Sequence, residues 1–295
     1  MRIKEKTELK IVKSKETLKD IKAHLFKAFT FFILFVATAN TVKSQCAAKN
    51  IAFQPGETAT YALYFNWKFI WVKAGYAELS THEATYEDNS VYKTHLIAAG
   101  TKRTDFFFLM RDTLTNHMTK ALEPIYFRKG AEEGKRYTVD EAYFSYKNGI
   151  SYVNQKRTHR SGRVEEHNHE SNQCIYDMLT ILAQARSYDT SQYEVGDKIK
   201  FDMATGKRVE DQTVIYRGKE IIEDENKIQY DCLVFSFVEY DDKNKEKEVI
   251  TFYISNDDNH LPIRLDLFLN IGSAKAFLTK IEGNKYPFSS IKKKK

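Results

Sequence analysis

Cys174-Ile-Tyr-Asp-Met-Leu-Thr-Ile-Leu-Ala-Gln-Ala-Arg186 is the stretch on which the reading of the fold turns. Ile175, Met178, Leu179, Leu182 and Ala185 recur at helical spacing, and such a stripe buries one face of a helix. Ser171 or Asn172 can cap the start, and Asp177 lies where a negative charge favours the positive end of a helix. The spacing predicts one α-helix near residues 172–187. Strand-like sequence flanks it on both sides, so the helix is expected to pack on, or plug, a large sheet.

Upstream, Thr58 to Trp67 and Phe69 to Ser80 alternate bulky β-formers around Gly75, and Val91 to Ala99 alternates again. Asp105-Phe-Phe-Phe-Leu-Met110 reads equally as a buried strand or a short helical turn. Pro124 opens another strand, and Asn148-Gly149 between alternating runs is a strong hairpin signal. Downstream, runs of the same kind are joined by Thr205-Gly206-Lys207, by the charged turn Asp241 to Glu246 and by Ile271-Gly272-Ser273. Roughly a dozen strands at short, even spacing predict an all-β, mainly antiparallel fold, a strongly curled sheet or barrel. No linker divides the body. The expected organisation is a leader over 1–45, one β-rich domain over 46–288 and a disordered basic tail over 289–295.

The charge of the chain sits at its ends. Of 46 Lys/Arg and 40 Asp/Glu, ten and four fall within residues 1–45, leaving 36 of each sign beyond. Four of those remaining bases are Lys292 to Lys295. A nucleic-acid binder carries its basic face on the folded domain, so nucleic acid is not an expected partner.

Ala28-Phe-Thr-Phe-Phe-Ile-Leu-Phe-Val-Ala-Thr-Ala39 follows a lysine-rich start. Its length suits a signal-peptide core rather than a bilayer span. Cleavage is expected between Ala39 and Gln45, with export to the periplasm or to association with an outer membrane, and no transmembrane span in the mature chain. Cys46 raises a lipoprotein option. Lys43-Ser44-Gln45 departs from the aliphatic and small residues such a site needs, which disfavours that option. The three cysteines admit a Cys174–Cys232 bridge with Cys46 spare, or three unpaired thiols.

Residues along the chain resemble the bacterial domain-of-unknown-function family 3108. The resemblance begins with Gly56-Glu57, Tyr61, Tyr64 and Ala74-Gly75, and passes through Pro124 and Phe127. It continues through Tyr176-Asp177-Met-Leu with Arg186, then Gly196-Asp197, then Ser255 to Pro262-Ile-Arg264 and Gly272-x-Ala274. It spans roughly residues 53–283. The resemblance implies an exported or envelope-associated β protein and brings no established activity. Gly75, Asp177, Arg186, Pro262 and Arg264 are expected to be structural.

Chemistry is sparsely marked. His159, His167 and His169 form a weak metal candidate, with Glu165 sharing the strand face of His167 and His169. An exposed polar edge strand accounts for the same residues. Asp257-Asp258-Asn259-His260 offers oxygen ligands without the spacing of a calcium loop, and a tight turn before Pro262 explains it more simply. No nucleophile elbow, phosphate loop, zinc-protease motif or dinucleotide fingerprint is present, and no cofactor is expected. Eighteen Tyr and twenty Phe either fill the core or line a cavity for a hydrophobic ligand. The expected function is a non-enzymatic binding or scaffold module of the cell envelope, its partner a hydrophobic small molecule or an envelope protein. A lipid carrier and a hydrolase-like envelope enzyme are the alternatives.

Overall fold

The computed structural model describes residues 46–292 except 68–69, 106–108, 225 and 270–271. The expected leader and its cleavage site lie outside the described residues. So do the three phenylalanines of the apolar burst and the last three lysines.

The first half runs β1 (Thr58–Trp67), β2 (Ile70–Tyr86), β3 (Asn89–Gly100), a one-turn helix α1 (Lys102–Asp105), β4 (Met110–Met118) and β5 (Pro124–Glu133). It continues through β6 (Arg136–Lys147), β7 (Ile150–His159) and β8 (Val164–Ser171). A crossover follows, made of β9 (Ile175–Tyr176), α2 (Met178–Ala185) and a short 3-10 turn at Thr190–Gln192. The second half is β10 (Lys198–Ala204), β11 (Val209–Glu223), β12 (Gln229–Tyr240), β13 (Glu246–Ser255), β14 (Pro262–Leu269), β15 (Gly272–Glu282) and β16 (Ile291–Lys292).

All sixteen strands among the described residues belong to one sheet, in the order β8 through β1, then β15 down to β9, with β16 on β12. The first described strand lies in the middle. β1 has β2 on one side and β15 on the other, Thr58 facing both Ser80 and Glu282. Each half is an antiparallel meander whose register is set at its turns. Lys147 pairs with Ile150 across Asn148 and Gly149, both at positive φ as a two-residue hairpin of this kind requires.

The two ends of the sheet meet because it rolls. Ser171 Oγ on β8 donates to Asp202 Oδ2 on β10 at 2.8 Å, and the Gly206 amide donates to Gln155 Oε1 on β7 at 2.7 Å. The result is a nearly closed all-β barrel of fifteen consecutive strands, more than the dozen counted from sequence.

The helix is shorter and differently phased than expected. Asp177, not Ser171 or Asn172, is the N-cap, and Ile175–Tyr176 pair with β10 as a parallel strand. Leu179, Thr180, Ala183 and Gln184 face inward, whereas Met178 is 46% exposed and Ala185 is exposed too. The apolar stripe misses this because two buried positions are polar and earn their place by hydrogen bonding. Leu179 and Ile175 join Leu79, Leu114, Phe127 and Val153 in the main core, each such side chain contributing about 1.5–3 kcal/mol by burial. A smaller core of Ala52, Phe53, Met118, Leu122 and Ala183 holds the N-terminal arm against the helix.

The tail also departs from expectation. Ser289 and Ser290 amides donate to Asp257 Oδ2, Ile291–Lys292 pair with β12, and Lys292 reaches Asp231 at 2.9 Å. Unpaired backbone at the end of β12 supplies the partner that a composition-based reading of the tail overlooks.

Candidate functional site

Both ends of α2 are anchored by buried polar groups. Asp177 is fully buried; its Oδ1 accepts the Leu179 and Thr180 amides at 2.9 Å, and its Oδ2 accepts Thr180 Oγ1 at 2.6 Å. Asn116 on β4 donates to Thr180 Oγ1 at 2.9 Å and to Asp177 Oδ1 at 3.4 Å. Burial pushes the Asp177 carboxyl up to about 6, while these donors pull the other way. Gln184 fastens the N-terminal arm, donating to the Cys46 and Leu122 carbonyls at 2.8 and 2.7 Å. At the far end Arg186 pairs with Glu57, just ahead of β1, and donates to the Asn259 carbonyl at 3.2 and 3.0 Å.

Asn259 lies in the Ser255–Pro262 turn. Its side chain binds the Tyr286 carbonyl and amide, and His260 Nδ1 meets the Arg186 carbonyl at 2.7 Å. Of the oxygens imagined for calcium, those of Asp257 and Asn259 are engaged by protein donors, while Asp258 is exposed. Pro262 opens β14 within that junction, and Arg264 forms a two-point pair with Asp266 beneath the Tyr253 and Phe277 rings. Gly75 faces Gly100, and a Cβ there would lie 2.2 Å from the Ala99 carbonyl oxygen. These groups are engaged with other parts of the fold: Asp177 with Asn116, Arg186 with Glu57 and Asn259, Arg264 with Asp266, and Gly75 in close approach to Ala99.

The three candidate histidines share the inner face of β7 and β8 but do not converge. His159 pairs with Glu165 at 2.9 Å, and His169 meets the Lys207 carbonyl at 3.1 Å. His167 sits opposite Gln155, and its Nε2 is buried without a hydrogen-bond partner. No group of three or more His, Cys, Asp or Glu fit for a metal occurs among the described residues. The strand is an edge, as its polar composition suggested. The unforeseen feature is what it meets: Lys207, in the β10–β11 turn, binds Glu165 at 2.5 Å. Lys207 and His159 together hold that carboxyl down to about 2.

Beside this seam opens a cleft of about 560 Å³ lined by Gln173, Lys198, Lys200, Asp202, Asp211, Thr213 and Tyr240, among others. Lys198, Lys200 and Asp202 alternate on β10 opposite Ile215, Thr213 and Asp211 of β11. Asp202 and Asp211 are directly opposed, and burial with the Asp211 charge raises the Asp202 carboxyl despite the Ser171 bond. Lys198 Nζ donates to the Tyr240 hydroxyl at 3.0 Å. Cations, carboxylates and a phenol therefore share one open wall, an arrangement suited to a polar or zwitterionic group. Sequence reading missed it, although period-two alternation of Lys198, Lys200 and Asp202 was the available signal.

The cysteines pair otherwise than expected. Cys46 and Cys174 form the disulfide, their Cα atoms 5.4 Å apart, and Cys232 is a buried free thiol. Cys174 cannot also reach Cys232, which lies on β12 opposite Ser255. Burial drives the Cys232 thiol up to about 12, so it is protonated and unreactive at neutral pH.

No curated protein matches the chain. A solved beta-barrel-like protein of domain of unknown function DUF1849 from Brucella abortus is similar at a TM-score of 0.49 and 10% identity, over 79% of this chain and 98% of the other. The model of DUF3108, a family of proteins of unknown function, matches residues 60–279. That span takes in both meanders, the capped helix and the Ser255–Pro262 turn, and the chain belongs to the DUF3108 family.

Proposed function

We propose that this protein is an exported, non-enzymatic binding module of the cell envelope, and that the Lys198–Lys200–Asp202–Asp211 cleft takes a polar partner. The cleft is the observation that carries this reading, because Lys198, Lys200, Asp202 and Asp211 line one opening together. The Cys46–Cys174 disulfide supports export, since such bridges persist in oxidising compartments. It also speaks against lipidation at Cys46, whose sulfur is already bonded. No described helix is long and apolar enough to cross a membrane.

Native mass spectrometry of protein taken from its own envelope fraction tests the proposal. A bound molecule or partner chain that is lost in the Lys200→Glu/Asp211→Lys variant, at unchanged thermal stability, supports it. Retention in that variant sinks the cleft. An N-terminal mass that starts before Ala28 sinks export by cleavage.

One observation favours an enzyme as the second reading. Opposed carboxylates, one with a raised pKa, are also how acid–base sites are built. Turnover abolished by Asp202→Asn without loss of fold would establish that reading instead. The charged lining of the cleft disfavours the lipid-carrier alternative.

A further inference from the structure

Two neighbouring hairpin tips carry apolar side chains outward. Ile70, Trp71 and Val72 at the start of β2 are 66%, 40% and 47% exposed, and Phe268 and Leu269 at the end of β14 are 43% and 46% exposed. Three consecutive exposed residues on a strand present both of its faces, so the β1–β2 hairpin runs beyond the body of the sheet. The pairing agrees: β3 ends opposite Gly75, and Ile70 to Lys73 pair only with β1.

The second tip lies against the first. β15 pairs with β1 as far as Phe65–Ala274, and a Cβ on Gly272 would lie 3.1 Å from the Asn66 carbonyl and 3.2 Å from the Phe65 ring. Lys275 Nζ sits 4.8 Å over the Trp71 ring, joining the two hairpins. Together the five side chains expose apolar surface on the order of 500 Å², the size at which a patch on a soluble domain calls for an occupant.

We propose that this paired tip is a membrane-docking tongue, inserting into the interfacial region of a lipid bilayer. Composition and charge favour lipid over a protein partner. Ile70-Trp71-Val72-Lys73 carries a tryptophan, a lysine and no acid, and Lys275 adds a second cation over the Trp71 ring. Tryptophan and lysine beside exposed aliphatic side chains are the chemistry of the bilayer interface, where the indole sits at headgroup depth and the ammonium meets phosphate. In the second segment the neighbouring acid, Asp266, is already held by Arg264 and lies 3.8 Å from Lys275. The charged cleft is not involved, so either proposal can fail alone.

Tryptophan emission makes the test direct, because both tryptophans of the sequence, Trp67 and Trp71, belong to the β1–β2 hairpin. Protein as isolated is mixed with vesicles of phosphatidylethanolamine and phosphatidylglycerol. The proposal expects a blue shift of several nanometres and co-flotation with the vesicles. Ile70→Asp/Phe268→Asp should abolish both at an unchanged melting midpoint, and Lys73→Glu should weaken flotation several-fold on phosphatidylglycerol vesicles but not on pure phosphatidylcholine. Absence of shift and flotation overturns it, as does equal binding by the double aspartate variant, which would place attachment in another segment. A blue-shifted emission without lipid that is lost on dilution also overturns it, in favour of a second copy of the chain.

Discussion

Arg186 and Glu57, 129 residues apart, form a two-point ion pair, with Nη1–Oε1 at 2.6 Å and Nη2–Oε2 at 3.1 Å. The side chains are 5% and 4% exposed. The pair joins the end of the helix to the chain just ahead of β1, and the Asn259 carbonyl takes the remaining guanidinium donors. Helix, first strand and the Ser255–Pro262 turn thus meet at one guanidinium. That position is fitting for a plug, since it fixes the crossover against both meanders.

Removing one partner leaves the other charged and buried. Arg186→Met is expected to lower unfolding free energy by about 3–5 kcal/mol, read from urea midpoints at constant m-value. Glu57→Leu/Arg186→Met should recover more than half of that, the remainder reflecting the Asn259 carbonyl left without donors. A double variant no more stable than Arg186→Met would show that the pair is not the source of the loss.

Asp177 gives stability a pH dependence. Its carboxyl is raised to about 6 in the folded protein, against an ordinary value near 4 in the unfolded chain. The folded state therefore holds the extra proton, and the stabilisation is complete below the unfolded value and lost as pH rises through the folded one. The loss between pH 4 and pH 7 should be on the order of 3 kcal/mol. Asp112 and Asp202 are raised as well and add in the same direction, so the difference between parent and Asp177→Asn is the measurement. Equal slopes in the two proteins would refute the assignment.

Local chemistry was legible and long-range chemistry was not. Asn148-Gly149 announces its hairpin because φ at both residues is a local property. The helix announces its existence but not its phase, since Thr180 and Gln184 are buried for partners at Asn116, Leu122 and Cys46 that lie more than sixty residues away. Cys46 stands just past the expected leader, which raises only a disfavoured lipoprotein option; its proximity to Cys174 is a product of the whole fold. The seam and the cleft arise where β8 meets the β10–β11 hairpin, and nothing in either segment alone encodes that meeting.

The disulfide closes a loop of 128 residues, for which the chain-entropy model gives about 5 kcal/mol of stabilisation. Cys46→Ser or Cys174→Ser should therefore lower the urea midpoint, and dithiothreitol should do the same to the parent and nothing further to either variant. Cys232→Ser should leave the sensitivity to dithiothreitol intact. If Cys232→Ser removed it, the native bridge would involve Cys232 instead.

Gly206 reports on the closure of the barrel. Its φ is +91°, and a Cβ would lie 2.6 Å from Arg157 Nη2 and 2.8 Å from Asp140 Oδ2. Those two side chains are locked in a two-point pair on β6 and β7, so the guanidinium cannot swing aside without breaking it. Gly149 also has positive φ but nothing within 4 Å of a Cβ, so Gly149→Ala carries only the backbone cost, about 1–2 kcal/mol. Gly206→Ala should exceed that by at least ~1 kcal/mol through the clash. It should also speed hydrogen exchange at the residue 206 amide, which Gln155 protects across the seam. Equal costs at the two glycines, with exchange at residue 206 unchanged, would mean that the turn is not seated on β6 and β7 in solution.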